Sequence, residues 1–253
     1  MTSKHSVSIL ILIRGQSDYL GECIRALGSI ESDNFEPTAI FINDGASSED
    51  YSIFKKYIDC IPYNYEYYEW EQKGIENSLN TILDRINTQF FVRCDGDDIL
   101  HSNYFTEVEN KMKFFENKSD ICGIAPSFKI IEEDARDILY TYQDKDITER
   151  FLESAGDILA TGMLISVDKI KKAGLYQTDI VNSGLESYEL CLRFLSHNYR
   201  ILTINSSIFS YRRHNKSASQ TRESDITKNG HIINEKYMLG KYKRGLHHPY
   251  LIS

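Results

Sequence analysis

The sequence predicts an α/β fold with a mainly parallel central sheet and helices on both of its faces. Three observations carry this. First, short unbroken apolar runs recur, VSILILI (7–13), TAIFIND (38–44) and QFFVRC (89–94), as expected of strands buried on both sides. Second, the segments between them place apolar residues at helical spacing, and strands alternating with helices imply right-handed βαβ units. Third, 253 residues that are 41% hydrophobic and 26% charged can build one sizeable core.

The elements follow in order. After the first strand, Ser17 stands as the cap of a helix with Leu20, Ile24 and Leu27 on one side. The second strand ends at Asp44, and Ser47 with Asp50 forms a capping-box start to a second helix. NYEYYEW (64–70) reads as a third strand, its tyrosines and tryptophan suiting a pleated surface. Ile75, Leu79, Ile82, Leu83 and Ile86 mark a third helix, and QFFVRC is the fourth strand. The second half is less regular. ICGIAPSFKII (121–131), GMLISV (162–167) and RILTI with SIFSYRR (200–213) read as strands, and 186–197 as a helix. Residues 132–157 read as acidic and loop-like, with room for one helix. The division expected is one domain over 1–223, in halves of about 1–100 and 101–223, then a helical, basic tail over 224–253.

A formal charge of −8 argues against a general nucleic-acid binder, which would present a basic face. The cysteines are five, widely spaced and without a C-x-x-C pair, the pattern of reduced thiols in a cytoplasmic protein. The apolar run near the N-terminus covers only Val7 to Ile13, too short to span a bilayer.

The stretch FFVRCDGDDIL places Asp95, Asp97 and Asp98 directly after the fourth strand. Three carboxylates so close repel one another, and each raises the pKa of its neighbours. In open α/β sheets ligands bind beyond the carboxyl ends of the strands, where these acids and Asp44 lie. A hard divalent ion, Mg²⁺ or Mn²⁺, answers the repulsion and bridges phosphate oxygens. A solvated turn is the alternative, since turns favour Asp.

Set in order, the segments resemble glycosyltransferase family 2, nucleotide-sugar-dependent enzymes of the GT-A fold. VSILILIRGQSDYLGECIRALGSI resembles the family's first strand and helix, and FINDGASSED its V-D-D-G-S-x-D segment. QKGIENSLNTILDRINTQFFVRCDGDDIL resembles the block ending R-M-D-A-D-D-I. ATGMLISVDKIKKAGLYQTDIVNSGLESYELCLRFLSHNYRI resembles the acceptor-side block, and YRRHNKSAS the closing Y-R-x-H segment. The likeness runs over roughly residues 7–220. It implies an inverting transfer of a sugar from a nucleoside diphosphate donor to a hydroxyl of a glycan or lipid-linked acceptor. A bacterial surface-polysaccharide role follows by the same likeness. It implies roles for single residues too. Asp44 would bind the nucleobase, Lys73 the diphosphate or base, and Asp95 the ribose or the metal loop. Asn80 and Arg93 match donor-side positions. Asp97 and Asp98 would hold the ion, with His214 completing its shell or that of the phosphates.

The sequence departs from the family at two places. The family's Glu-Asp pair, whose Asp supplies the general base, reads Glu186-Ser187 here. A serine is no carboxylate base, so Glu186 is the nearest candidate and Glu189, one helical turn on, the next. The first strand runs into Leu12-Ile13-Arg14-Gly15 in place of the family's P-T-Y-N, which gives Arg14 as a phosphate or base contact. Both departures keep a second reading open, a catalytically impaired module that holds nucleotide or glycan. A sugar nucleotidyltransferase would want a Gly-rich basic phosphate loop after the first strand, and RGQSDYLGE is a poor one. The basic, aromatic tail, with Lys236, Lys241, Lys243 and Arg244, suits either packing on the domain or peripheral contact with an anionic membrane face.

Overall fold

The computed structural model describes residues 4–113, 119–132, 138–140, 146–149, 151–152, 160–179, 184–215 and 223–242. Nine strands join in one sheet: β1 (His5–Ile13), β2 (Phe35–Asp44), β3 (Asn64–Trp70), β4 (Phe90–Arg93), β5 (Ile99–Leu100), β6 (Ile121–Glu132), β7 (Ile138–Tyr140), β8 (Leu164–Ser166) and β9 (Arg200–Arg213). Among the described residues seven α-helices accompany them: α1 (Ser17–Gly28), α2 (Ser48–Tyr57), α3 (Ile75–Leu83), α4 (Tyr104–Met112), α5 (Val167–Lys172), α6 (Glu186–Ser196) and α7 (Glu223–Lys236). The strand order is β3-β2-β1-β4-β8-β6-β9-β5, with β7 on β6.

The first half has the expected parallel βαβ plan. Chain connections step outward from β1 to β2 to β3, then α3 carries the chain back to β4 on the other side of β1. Right-handed crossovers therefore put α1 and α2, which pack together, on one face and α3 on the other. Strand order reverses at β1, so the carboxyl ends of β1 and β4 open a crevice of the kind in which such sheets bind ligands. Every residue from Val7 to Ile13 is buried, as the unbroken apolar run requires.

Parallel pairing stops at β8, which runs antiparallel to both β4 and β6. The second half is thus mixed, with β6 and β9 parallel over a long register and β5 antiparallel to the far end of β9. Register shifts in the β6–β9 ladder flank Pro126, which has no N–H to donate. The 14-residue β9 is the element that matters most for the site. By pairing Ser210 with Ile99 it brings Arg212 and His214 back to the turn after β4.

Two helices, α4 and α5, lie where the sequence shows no clear helical period. α4 buries Tyr104, Phe105 and Val108, and Phe105 stacks on Phe35 of β2 at 4.6 Å between ring centres. Ser17 is the first residue of α1, not its cap; the cap position is Gln16, whose side chain bonds elsewhere. The capping box at Ser47 and Asp50 is present in full. Most of 132–157 and the tail beyond Tyr242, with Lys243 and Arg244, lie outside the described residues. Tail helix α7 packs on α6: Tyr188 donates to Asn234 Oδ1 at 2.8 Å, and Tyr237 donates to Glu189 Oε1 at 2.6 Å.

Gly162 holds the seam between the two halves. Its N–H donates to the Arg93 carbonyl at 2.8 Å and its carbonyl accepts from the Tyr104 hydroxyl at 2.8 Å. Its φ is +81°, and a Cβ there would meet the Phe209 ring at 2.5 Å, closer than real Cβ atoms come. Gly162→Ala is therefore expected to destabilise the fold by more than about 1 kcal/mol. Chemical denaturation checks this, and an unchanged midpoint would contradict it.

Candidate active site

Three strand ends converge on the crevice. At the end of β2, Asp44 is buried and its carboxylate is engaged three times. Oδ1 accepts from the Lys73 N–H at 2.9 Å and the Ser78 hydroxyl at 2.8 Å, and Oδ2 accepts from the Gly74 N–H at 3.1 Å. An acid at the N-terminus of α3 meets both its free amides and its dipole. Lys73 Nζ donates to Thr81 Oγ1 at 2.6 Å and lies 3.8 Å from the centre of the Trp70 ring, a cation–π contact. Burial there lowers the Lys73 pKa, with Asp44 pulling the other way. Asn80, one helical turn into α3, accepts from the Tyr176 N–H at 2.9 Å and donates to the Tyr176 carbonyl at 2.8 Å. Its amide thus staples residue 176 to α3.

At the end of β1, Arg14 is exposed and its side chain stands clear of the other candidates. The loop beneath it is held by Asp50, which sequence reasoning read only as a capping acid. Asp50 is fully buried, and it accepts from the Gly15 N–H and the Gln16 N–H, each at 2.9 Å, besides closing its capping box with Ser47. Gln16 reaches the acidic turn, its Nε2 donating to Asp97 Oδ1 at 3.3 Å. Gly96 permits this approach, since a Cβ there would meet Gln16 Oε1 at 2.7 Å and the Leu12 carbonyl at 3.1 Å.

At the end of β4 the three acids take different partners. Arg93, only 4% exposed, grips Asp95 with two bonds of 2.7 Å, from Nε to Oδ1 and from Nη2 to Oδ2. Its third nitrogen, Nη1, donates to Glu186 Oε1 at 2.8 Å. Planar, bidentate geometry of this kind is what guanidinium supplies and ammonium does not. Asp97 Oδ2 lies 2.9 Å from His214 Nε2, and His214 rests on the Tyr19 ring. Asp98 is 1% exposed. Its Oδ1 accepts the Arg212 N–H at 2.9 Å, while its buried Oδ2 has no hydrogen-bond partner among the described residues. Burial pushes the Asp98 carboxyl well above the usual range, and the charges of Asp97 and Asp95 push it further. Arg212, another residue the sequence reading missed, donates Nε to the Asp97 carbonyl at 2.9 Å and Nη2 to Glu22 at 2.6 Å. The run Tyr211-Arg212-Arg213-His214 at a strand end was its one signal.

The two glutamates part company. Glu186 sits at the N-terminus of α6 with one oxygen on Arg93 and a side chain 12% exposed. Glu189 is buried in a structural network, bridged to Arg193 at 3.0 Å and capped by the Tyr237 hydroxyl. Of the candidates, then, Arg93, Asp95 and Glu186 form one cluster, and Asp97, Asp98 and His214 another beside it. Asp44, Lys73 and Asn80 line the α3 side, and Glu189 faces α7.

Among the described residues no three His, Cys, Asp or Glu side chains are gathered as a ready-made metal cage. A partial set does fit a hard divalent ion. Asp97 and His214 present oxygen and nitrogen donors 2.9 Å apart, a spacing that also suits neighbouring positions of an octahedral shell. Asp98 adds a buried carboxylate oxygen that lacks a partner. Such an ion usually takes one or two protein carboxylates and completes its shell with phosphate and water.

The sequence matches glycosyl transferase family 2 over residues 8–174, more than half of the chain. The chain belongs to glycosyl transferase family 2. No curated protein matches it. Among solved structures, this family 2 chain is similar to residues 1–349 of TarS from S. aureus, in complex with UDP-GlcNAc. The TM-score is 0.69 at 12% identity, covering 94% of this chain and 68% of that one. It is also similar to a mannosyltransferase from Pyrobaculum calidifontis in complex with GDP-Man and Mn²⁺. There the TM-score is 0.68 at 12% identity, covering 96% of this chain and 67% of that one. Of the longer TarS crystal structure the chain spans 41%. At such identities the likeness establishes the fold, which is GT-A, with the second, mixed half of the sheet completing it.

Proposed function

We propose that this family 2 chain is an inverting glycosyltransferase. It moves a sugar from a nucleoside diphosphate donor to a hydroxyl of a glycan or lipid-linked acceptor, in bacterial surface polysaccharide synthesis. The observation that carries the reading is the acidic turn at the switch-point crevice of a GT-A sheet, where Asp97 meets His214, Asp98 keeps a buried oxygen without a partner, and Asp95 is joined to Glu186 through the Arg93 guanidinium. Asp97, Asp98 and His214 would hold Mn²⁺ or Mg²⁺. Bound there, the ion would neutralise charge on the departing diphosphate, a Lewis-acid contribution. The similar mannosyltransferase binds Mn²⁺ with its GDP-sugar, which supports that choice. Arg14, exposed above the Asp50-held loop, and Lys73, stacked on Trp70, would contact donor phosphate or base. Asp44, Asn80 and Asp95 shape the donor side by fixing the loops around it.

Glu186 is the general base in this reading. It accepts the proton of the acceptor hydroxyl as that oxygen attacks the anomeric carbon from the face opposite the diphosphate. Oε1 is occupied by Arg93, and Oε2 has no hydrogen-bond partner among the described residues. Glu189 is the weaker candidate, since Arg193, Tyr237 and Lys236 surround it. Donors of this class are made in the cytoplasm, where the chain would act. No described helix is long and apolar enough to cross a membrane. Contact with its inner face through the basic tail is part of the same proposal.

A panel of UDP-, GDP-, dTDP- and CMP-sugars, with and without Mn²⁺, tests the reading. The expected result is a rise in melting temperature with one nucleotide class, larger with Mn²⁺, because ligands that bind only the native state stabilise it. Release of nucleoside diphosphate on adding acceptor should follow. The second reading, a nucleotide- or glycan-binding module, rests on Ser187 in the family's base position. Tight binding of a donor with no turnover against any acceptor would favour it.

A further inference from the structure

We propose that Arg93 is a positioning residue for the base, and that it does not contact the donor. This rests on the glycosyltransferase reading and deepens it. Arg93 is 4% exposed, and all three guanidinium nitrogens are committed, two to Asp95 and one to Glu186. Three of its five N–H groups are engaged in this way, and with the side chain buried the other two do not open onto a site for phosphate. The same geometry gives it a different task. Through its backbone, Arg93 ends β4, where the acidic turn begins, and its carbonyl holds Gly162 of the second half. Through its side chain it fixes the first residue of α6. One residue therefore sets the distance between the turn that would hold the donor and the carboxylate that would take the acceptor's proton.

Chemistry makes the arrangement specific. Glu186 lies one residue before the position the family's base occupies, so a carboxylate must be aimed from a shifted origin. A guanidinium nitrogen that binds one carboxylate oxygen anchors that oxygen and leaves the second free of it. The other wall is Tyr176, a buried residue whose hydroxyl feels the charges of Arg93 and Glu186. Its backbone is stapled to α3 by Asn80. Misplacing a reacting group by about 1 Å can cost about 10²-fold in rate, which is the scale expected on loosening this clamp.

The test is a double-mutant cycle on turnover, with donor affinity measured alongside. Arg93→Lys keeps a positive charge against the two carboxylates and removes the planar fork. The expected result is a fall in kcat of about 10²-fold with donor Kd within about threefold of native. Glu186→Gln alone should be slower still, and the double variant no slower than Glu186→Gln, since what Arg93 contributes to turnover passes through Glu186 while its bonds to Asp95 hold the turn. Multiplying effects, or a donor Kd weakened tenfold or more, would overturn the proposal in favour of direct donor contact. Should Arg93→Lys melt too low to assay, the double variant decides, because one of the stranded carboxylates is gone. Its rate should equal that of Glu186→Gln. A native chain that binds donor but turns nothing over overturns the glycosyltransferase reading and Arg93's role together. Turnover with independent effects overturns the role of Arg93 alone.

Discussion

Replacing Glu186 with Gln is expected to lower turnover by about 10²–10⁴-fold, the usual cost of losing a general base. Donor affinity should stay within about threefold. The geometry explains why the change is clean. Gln keeps the length of the side chain and an oxygen that can accept from Arg93 Nη1, now at 2.8 Å from Glu186 Oε1. What it loses is the ability to take a proton. Steady-state rates of nucleoside diphosphate release, with binding measured by calorimetry, check both halves of the statement. A near-native rate would move the base elsewhere. Glu189 is a poor heir, because its carboxylate is already shared between Arg193 and the Tyr237 hydroxyl.

Asp98→Asn should have the second large effect, on metal-dependent donor binding. In the native chain Asp98 Oδ1 accepts the Arg212 N–H and Oδ2 is buried without a hydrogen bond, beside the charges of Asp97 and Asp95. A buried carboxylate in that setting opposes folding unless a cation compensates it. Asn keeps the acceptor for Arg212 and removes the charge. The melting temperature without metal should therefore hold or rise, while the gain in donor affinity on adding Mn²⁺ disappears. Losing an outer-shell partner of a metal typically costs about 10–100-fold in affinity, and losing a ligand should cost at least that. Titrating donor with and without Mn²⁺ against both proteins decides it. Equal metal dependence would remove Asp98 from the ion's shell.

Much of the first half was legible because its strands are buried on both faces. A run such as Val7 to Ile13 has few other uses in a soluble domain, and the acids after β4 stand where sheet topology puts ligands. The second half was less legible because its order depends on antiparallel insertion of β8 and on the long parallel register of β9, neither of which leaves a local period. α4 escaped notice because its buried residues, Tyr104, Phe105 and Val108, cover barely one turn. At the site, the side chains missed were those that act across the chain. Asp50 looked like a capping acid and is one, but its other work is on amides 34 and 35 residues earlier. Gln16 and Arg212 meet the acidic turn from 81 and 115 residues away. Glu189 had a local clue in hindsight: an acid four residues before Arg193 on one helix is the spacing of an internal ion pair.

The return of β9 to the turn after β4 bears on how such a catalyst can be recombined. Residues 8–174, the span of the family match, carry Asp97 and Asp98, but their neighbours Arg212 and His214 arrive on a strand that begins at Arg200. A chimera joined near residue 174 would marry one parent's acids to another parent's imidazole and arginine. The two parts cannot be shuffled as independent cassettes, and crossovers tolerated by the backbone should still silence chemistry unless the Tyr211–His214 segment travels with the acidic turn.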